Sequence, residues 1–162
     1  MARFNLVEEL GALIEALDRE KLDYAVCGGL ALALHGHPRA TMDLDLMVIP
    51  TQLADASRVA RELGFDVPAR KMIFGLRTGT PREMQRVSKL DAASGEMLSL
   101  DLIVVMGDLE PIWADRVEID TGSRVMVAVS RDGLIAMKRI AGRPKDLLDI
   151  AMLEGTADDE PE

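Results

Sequence analysis

Two short runs separated by a fixed gap constrain this chain more than any other feature. Gly28 and Gly29 follow the apolar run that begins at Tyr24, and Asp43 and Asp45 lie at the start of a later apolar run that ends at Ile49. The pattern predicts a strand, a tight turn, a short helix and a second strand. Because side chains alternate across a strand, the two aspartates share one face, about 7 Å apart along it.

The residue types in these runs suit phosphate and metal chemistry. Glycine lets the backbone turn sharply or approach a ligand closely, and a helix starting near Leu30 would present N–H groups to an anion. Mg²⁺ prefers oxygen ligands and usually binds through carboxylates plus substrate phosphates. The alternative is a surface Asp-x-Asp at a strand mouth beside an ordinary Gly-Gly turn.

The combination resembles the nucleotidyltransferase superfamily that includes DNA polymerase beta. The signature of that superfamily is an apolar residue and a glycine followed by Gly or Ser, then a gap, then Asp-x-Asp or Asp-x-Glu between apolar residues. Gly28-Gly29 and Asp43-Leu44-Asp45 match it. The surrounding Gly36, Arg39, Thr41 and Asp43 resemble the small bacterial branch related to AbiEii-type toxins. The resemblance implies an α/β fold of the polymerase-beta type, in which helices pack on a mixed β-sheet.

A third carboxylate lies within a strongly apolar run. Asp101 is the one charge between Leu98 and Val105. A charge in a buried strand costs several kcal/mol unless it is paired or binds a metal, although a solvated strand face would leave nothing to explain. The superfamily carries an aspartate on a later strand, and Asp101 matches it better than Asp91 or Asp108 at the ends of segments.

The resemblance also implies roles for these residues. Asp43 and Asp45 would bridge two Mg²⁺ ions, which lie about 3.5–4 Å apart in such sites, and Asp101 would complete one of them. We expect these three aspartates to be catalytic, and Asp101 to take a proton. The residues expected to bind the nucleotide are Gly28, Gly29, Arg39, Thr41 and Lys138.

The C-terminal segment extends the resemblance to the AbiEii-related branch. A lysine on one helix, followed by Lys-Asp-x-x-Asp on the next, matches Lys138 and the run from Lys145 through Asp146 to Asp149. Lys138 would reach the triphosphate. Alternatively, Lys145 and Asp149 form an ordinary pair one helical turn apart.

The implied reaction is transfer of a nucleoside monophosphate from an NTP to an acceptor hydroxyl, with release of pyrophosphate. The acceptor could be RNA, a protein or a small molecule such as an aminoglycoside, and the branch suggests a cognate toxin–antitoxin partner. A rival hypothesis is a non-catalytic antitoxin or nucleotide-binding module with the same fold.

One basic run lies outside these motifs. Residues 70–89 contain Arg70, Lys71, Arg77, Arg82, Arg86 and Lys89 against the single acid Glu83. The run is either a solvent-exposed strand pair with its loop, or a binding surface for phosphate groups. The phosphates would belong to the acceptor or to the triphosphate of the nucleotide.

The remaining chain alternates between helical and strand patterns. Residues 1–154 are expected to form one nucleotidyltransferase-like domain, and the acidic tail 155–162 to be disordered. Further helices are predicted over 5–20, from Thr51 as a cap to 63, over 130–141 and from Pro144. Strands are predicted over 65–67, 72–77, 83–90 and 96–105, with a hairpin over 117–129.

Composition and charge limit the class of protein and the cellular compartment that we expect. The chain has 162 residues and a formal net charge of −9, which argues against a general nucleic-acid coat. No run of 18 apolar residues and no signal peptide is apparent, so we expect a cytoplasmic protein without a membrane span. A single Cys27 excludes an internal disulfide, and with two histidines a His/Cys metal cluster is not expected.

Overall fold

The computed structural model describes residues 4–37, 43–74 and 82–158. The helices are α1 Leu6–Arg19, α2 Gly28–Leu34, α3 Leu53–Glu62, α4 Glu110–Ala114, α5 Arg131–Ala141 and α6 Pro144–Asp158. The strands are β1 Ala25–Cys27, β2 Asp43–Val48, β3 Val67–Phe74, β4 Arg82–Leu90, β5 Met97–Val104, β6 Val117–Asp120 and β7 Val125–Ala128.

The strands form one mixed sheet in the order β3-β4-β5-β2-β1-β7-β6. The pairs β2–β5 and β1–β7 are parallel, and the other neighbours are antiparallel. The predicted mixed sheet with packed helices is therefore confirmed.

One face of the sheet forms the main hydrophobic core. On β2 and β5, Leu44, Leu46, Leu100 and Leu102 alternate with more polar residues and are almost completely buried. α1 and α3 cover this face, where Lys89 of β4 reaches the helix α1. The opposite face therefore carries the aspartates of both strands.

Three of the predicted helix starts agree with the structure. The Asn5 side chain accepts hydrogen bonds from the first turn of α1, Ser130 caps α5, and Pro144 is the first residue of α6. Thr51 does not cap α3 as expected: Pro50 opens a 3₁₀ turn over Pro50–Gln52, and the α-helix begins only at Leu53.

Three segments differ from the predicted bounds. α2 begins at Gly28 rather than near Leu30, so both glycines belong to its first turn. The two short strands expected near residues 65–77 are one strand, β3, with an irregular register between Pro68 and Lys71. The last helix continues beyond residue 154 to Asp158. In the described part of the chain, the helices are too short or too polar to cross a membrane.

Candidate active site

Four side chains lie in a row across four neighbouring strands. Cys27 of β1 pairs in register with Asp45 of β2, Asp45 pairs with Asp101 of β5, and Asp101 pairs with Arg86 of β4. Asp43 lies on the same face of β2, two residues before Asp45. The strand register thus brings the three sequence-predicted aspartates to one region of the sheet.

Gly28 lies directly against this row. Its φ of +67° is a conformation that side chains disfavour, and a Cβ atom added there would lie 2.1 Å from Oδ2 of Asp45. Only glycine therefore allows the start of α2 to approach the carboxylate so closely. Gly29 follows as the second residue of α2, and both glycines line the cleft described below.

The carboxylates perturb one another. Burial, followed by the charges of Asp101 and Asp43, raises the pKa of Asp45 to about 7, and the Arg86 charge only partly offsets this shift. Burial, followed by the charges of Asp45 and Asp101, also raises the pKa of the Cys27 thiol. Burial and the neighbouring carboxylates therefore favour the protonated forms of both Asp45 and Cys27.

Arg86 forms the closest ion pair of the row. Its Nε donates to Oδ1 of Asp101 at 2.7 Å and its Nη2 to Oδ2 at 3.0 Å, so both carboxylate oxygens are engaged. Asp101 is 5% exposed, whereas the Arg86 side chain is 36% exposed and faces the cleft. These hydrogen bonds raise the pKa of Arg86 further above its already high value, so the guanidinium stays charged.

The row forms the floor of a cleft of about 720 Å³. Its apolar walls are Met72, Met84 and Ile103 from the sheet, and Leu134, Met137 and Ile140 from α5. Polar side chains at the junction of α5 and α6 complete the rim of the cleft, namely those of Lys138, Arg143, Lys145, Asp146 and Asp149. The cleft therefore offers a charged floor and apolar sides, as a ligand with a phosphate group and a ring would require.

Two buried carboxylates at the α5–α6 junction are already paired. Lys138 Nζ donates to Oδ2 of Asp149 at 2.9 Å, and both residues are buried. Asp146 accepts hydrogen bonds from the backbone N–H and the side chain of Arg143. Lys138 also lines the cleft, where its ammonium pairs with Asp149, and its contact with the triphosphate stays a prediction.

The basic run 70–89 divides between the two faces of the sheet. Arg82 and Arg86 line the cleft, where Arg82 pairs with Asp108 at 2.6 Å, whereas Lys89 pairs with Glu9 on the opposite face. The basic run is therefore neither entirely a solvent-exposed surface nor entirely one phosphate-binding surface. Although the basic run and the glycines are far apart in sequence, Arg82 and Arg86 line the same cleft as Gly28 and Gly29.

Several sequence-predicted residues fall outside this description. Arg39, Thr41 and Arg77 lie outside the described residues, and so do the side chains of Arg70 and Lys71. Among the residues that are described, no three His, Cys, Asp or Glu side chains are grouped so that they could hold a metal ion. Coordination by all three aspartates therefore stays a prediction.

Several solved structures with this architecture are nucleotidyltransferases. ANT(2″)-Ia in complex with adenylyl-2″-tobramycin superposes with a TM-score of 0.64 at 15% identity, over 94% of this chain and 89% of that one. The lincosamide antibiotic adenylyltransferase LnuA, lincomycin-bound, gives 0.57 at 14% identity, over 91% and 95%. The inferred nucleotidyltransferase TM1012 of Thermotoga maritima gives 0.60 at 16% identity, over 99% and 97%.

The chain has the nucleotidyltransferase fold. Comparisons with protein-family models and with curated proteins give no match. Within the nucleotidyltransferase fold, the likeness is carried by the sheet and its helices rather than by overall sequence identity.

Proposed function

We propose that this protein is a Mg²⁺-dependent nucleotidyltransferase that moves a nucleoside monophosphate from an NTP to an acceptor hydroxyl. The observation that carries the proposal is the contact of Gly28 with Asp45, in register with Asp101, on the floor of one cleft. The nucleotidyltransferase fold supports it independently. Release of pyrophosphate completes the reaction.

The donor set fits a hard divalent cation. Asp43 and Asp45 would hold Mg²⁺ with oxygens of the triphosphate, because this ion commonly takes one or two carboxylates plus phosphate groups. The raised pKa of Asp45 supports this, since burial and the charges of Asp101 and Asp43 disfavour its ionised form until a cation binds. When bound, Mg²⁺ would supply charge neutralisation at the reacting phosphate.

The chain's own residues supply position and proton transfer. Gly28 and Gly29 would let the triphosphate approach the start of α2, with Lys138, Arg39 and Thr41 as further nucleotide contacts. Asp101 would accept the acceptor's hydroxyl proton. The acceptor oxygen then bonds to the α-phosphorus, and the bond between that phosphorus and the bridging oxygen of the β-phosphate breaks.

A small molecule is the acceptor class that we propose first. The similar structures include complexes with an adenylylated aminoglycoside and with lincomycin, and the apolar walls of this cleft suit a compact ligand. The net charge of −9 favours a cationic acceptor. An AbiEii-like role with an RNA acceptor or a toxin–antitoxin partner is the second proposal.

Transfer of label from α-³²P-NTPs tests the function. The protein is incubated with Mg²⁺ or EDTA and with tobramycin, lincomycin, tRNA or a protein mixture, and Asp43→Asn serves as the inactive control. Transfer that requires Mg²⁺ and Asp43 supports the proposal. NTP binding without transfer to any acceptor would favour the non-catalytic module, and an absence of both would overturn the proposed function.

A further inference from the structure

One wall of the cleft lies on the side from which an acceptor would approach. We propose that Met72, Met84 and Ile103, which we call the apolar row, form the acceptor subsite, and that the acceptor is a hydroxyl compound with an apolar face beside its reacting oxygen. The inference rests on the proposed function and deepens it, because it assigns one wall of the cleft to the acceptor and names the class of compound that this wall would bind.

The strand register places the apolar row beside the row of charged side chains. Met84 of β4 pairs in register with Met72 of β3 and with Ile103 of β5, so the three side chains lie across neighbouring strands. Ile103 follows Asp101 by two residues, so it lies on the same face of β5, about 7 Å further along the strand. All three side chains are half-buried and line the cleft. The sheet therefore offers apolar surface directly beside Asp101.

The order of the strands gives the direction of approach. Gly28 follows β1 and lies against Asp45 of β2, whereas β5 and β4 lie on the other side of β2. In phosphoryl transfer, the attacking and leaving oxygens lie roughly in line, on opposite sides of the phosphorus. If pyrophosphate leaves toward Gly28, the acceptor oxygen arrives from the side of β5 and β4. Asp101, which would take the acceptor's proton, lies on that side, and so does the apolar row.

An ion pair lies at the far end of the apolar row. Arg82, two residues before Met84 on β4, donates through Nη2 to both carboxylate oxygens of Asp108, at 2.7 and 2.6 Å. Met84 thus lies between Arg82 and Arg86 on one face of β4. A ligand above Met84 would gain affinity by covering its apolar surface, and the flexible thioether chain can adapt to ligands of different shapes.

The opposite wall of the cleft is left for the nucleotide. Met137 and Ile140 of α5 line this wall, and Met137 immediately precedes Lys138, which we expect to contact the nucleotide. α5 also packs beside α2, whose first turn contains both glycines. With the phosphates at the start of α2, the base of the nucleotide would therefore lie against Met137 rather than against the apolar row.

Methyl signals of the methionines test the assignment without turnover. The full chain is labelled with methyl-¹³C-methionine, and the signals of Met72, Met84 and Met137 are assigned by substitution. Mg²⁺ with α,β-methylene ATP or GTP should shift the Met137 signal and leave Met72 and Met84 nearly unshifted. Benzyl alcohol, a hydroxyl probe with an apolar face, is then added to the nucleotide-saturated protein and should shift Met84 and Met72. Glycerol, which has hydroxyls but no apolar face, should shift neither.

Two methionine variants make the probe quantitative. Met84→Gln keeps the length of the side chain but makes its end polar, so it should weaken benzyl alcohol binding about fivefold and leave nucleotide affinity unchanged. Met97→Gln is the matched control, because Met97 is an exposed methionine of the neighbouring strand β5 that does not line the cleft. It should leave both affinities unchanged, and equal weakening in the two variants would overturn the inference.

The outcomes separate this inference from the proposed function. Nucleotide analogues that shift Met72 and Met84 as strongly as Met137 would overturn the acceptor assignment but support the nucleotidyltransferase proposal. Benzyl alcohol that shifts neither Met72 nor Met84 would also overturn the assignment alone. An absence of any nucleotide-induced shift at the three methionines would overturn both. If Met84→Gln does not fold, Met72→Gln on the edge strand β3 takes its place, with the same expected loss.

Discussion

Among the described residues, two groups of buried or half-buried carboxylates have different surroundings, one at the α5–α6 junction and one on the sheet. Asp146 and Asp149 at the α5–α6 junction are held by Arg143 and Lys138. Burial alone would raise the pKa of Asp146, but the hydrogen bonds and charge of Arg143, with the charge of Lys138, bring it below its usual value. For Asp45, the same competition ends with the pKa raised to about 7.

The difference indicates two separate uses of a carboxylate. At the helix junction, each acid has a cation of its own. Lys138 of α5 pairs with Asp149 of α6, and Arg143, just before α6, pairs with Asp146 in its first turn. On the sheet, Asp45 and Asp101 share one guanidinium and lie beside Asp43. Burial and neighbouring negative charges on the sheet favour the binding of a proton or a cation at Asp45.

Removing Asp45 should separate function from stability most strongly. Asp45→Asn should reduce nucleotidyl transfer by about a thousandfold, since it removes a proposed metal ligand whose charge stabilisation is worth several kcal/mol. Its melting temperature without Mg²⁺ should not fall, because one of the crowded charges is removed. Asp55→Asn on the exposed surface of α3 is the control and should retain activity. Loss of stability in Asp45→Asn would contradict the comparison.

Removing Lys138, in contrast, should lower the stability of the folded chain. Lys138→Met leaves Asp149 buried without its ammonium partner and should lower the free energy of unfolding by about 3–5 kcal/mol. Arg139→Met is the matched control, because the next residue of α5 makes an exposed ion pair with Glu154 of α6. That change should cost less than about 1 kcal/mol. Urea unfolding of both variants measures the difference, and equal losses would refute the distinction between them.

Much of the fold follows from local sequence signals. Asn5, Ser130 and Pro144 mark helix starts because their side chains or ring satisfy or avoid unpaired N–H groups. The single strand β3 was not predicted, because Pro68 interrupts the strand pattern and pairing with β4 overrides that local signal.

The candidate site, too, could be predicted from the sequence only where local signals determine the structure. The hairpin between β4 and β5 was predicted, and counting back from Leu90 opposite Met97 places Arg86 opposite Asp101. The sequence thus contained the signal for this ion pair, although Arg86 was interpreted only as part of a basic run. The pairing of Asp45 with Asp101 joins distant segments in parallel, and no local pattern specifies that register.

Gly28 offers a finer test of the approach between α2 and Asp45. Gly28→Ala should weaken Mn²⁺ binding about tenfold, because the new methyl group must displace the Asp45 carboxylate. Gly122→Ala is the control: this glycine also has a positive φ, of +90°, but its Cβ would meet open space. Both should lose about 1–2 kcal/mol to backbone strain. Isothermal titration would contradict the prediction if the two variants bound Mn²⁺ equally.

The smallest effect concerns pH. Since the pKa of Asp45 rises from 3.8 to about 7 on folding, the folded chain binds more protons than the unfolded chain between these values. Without Mg²⁺, this contribution to stability must therefore decline as pH rises from 4 to 7 and stay low above 7. Asp45→Asn lacks the contribution but shares every other titrating group, so the variant should gain relative to the wild type between pH 5 and 8. Melting curves in EDTA should show a relative gain of a few degrees, at roughly 2–4 °C per kcal/mol. Mg²⁺ with NTP should remove most of that gain at pH 8 by stabilising the ionised wild type.

Parallel pH profiles of the two melting temperatures would contradict the prediction, because they would mean that the pKa of Asp45 is not raised in the folded chain.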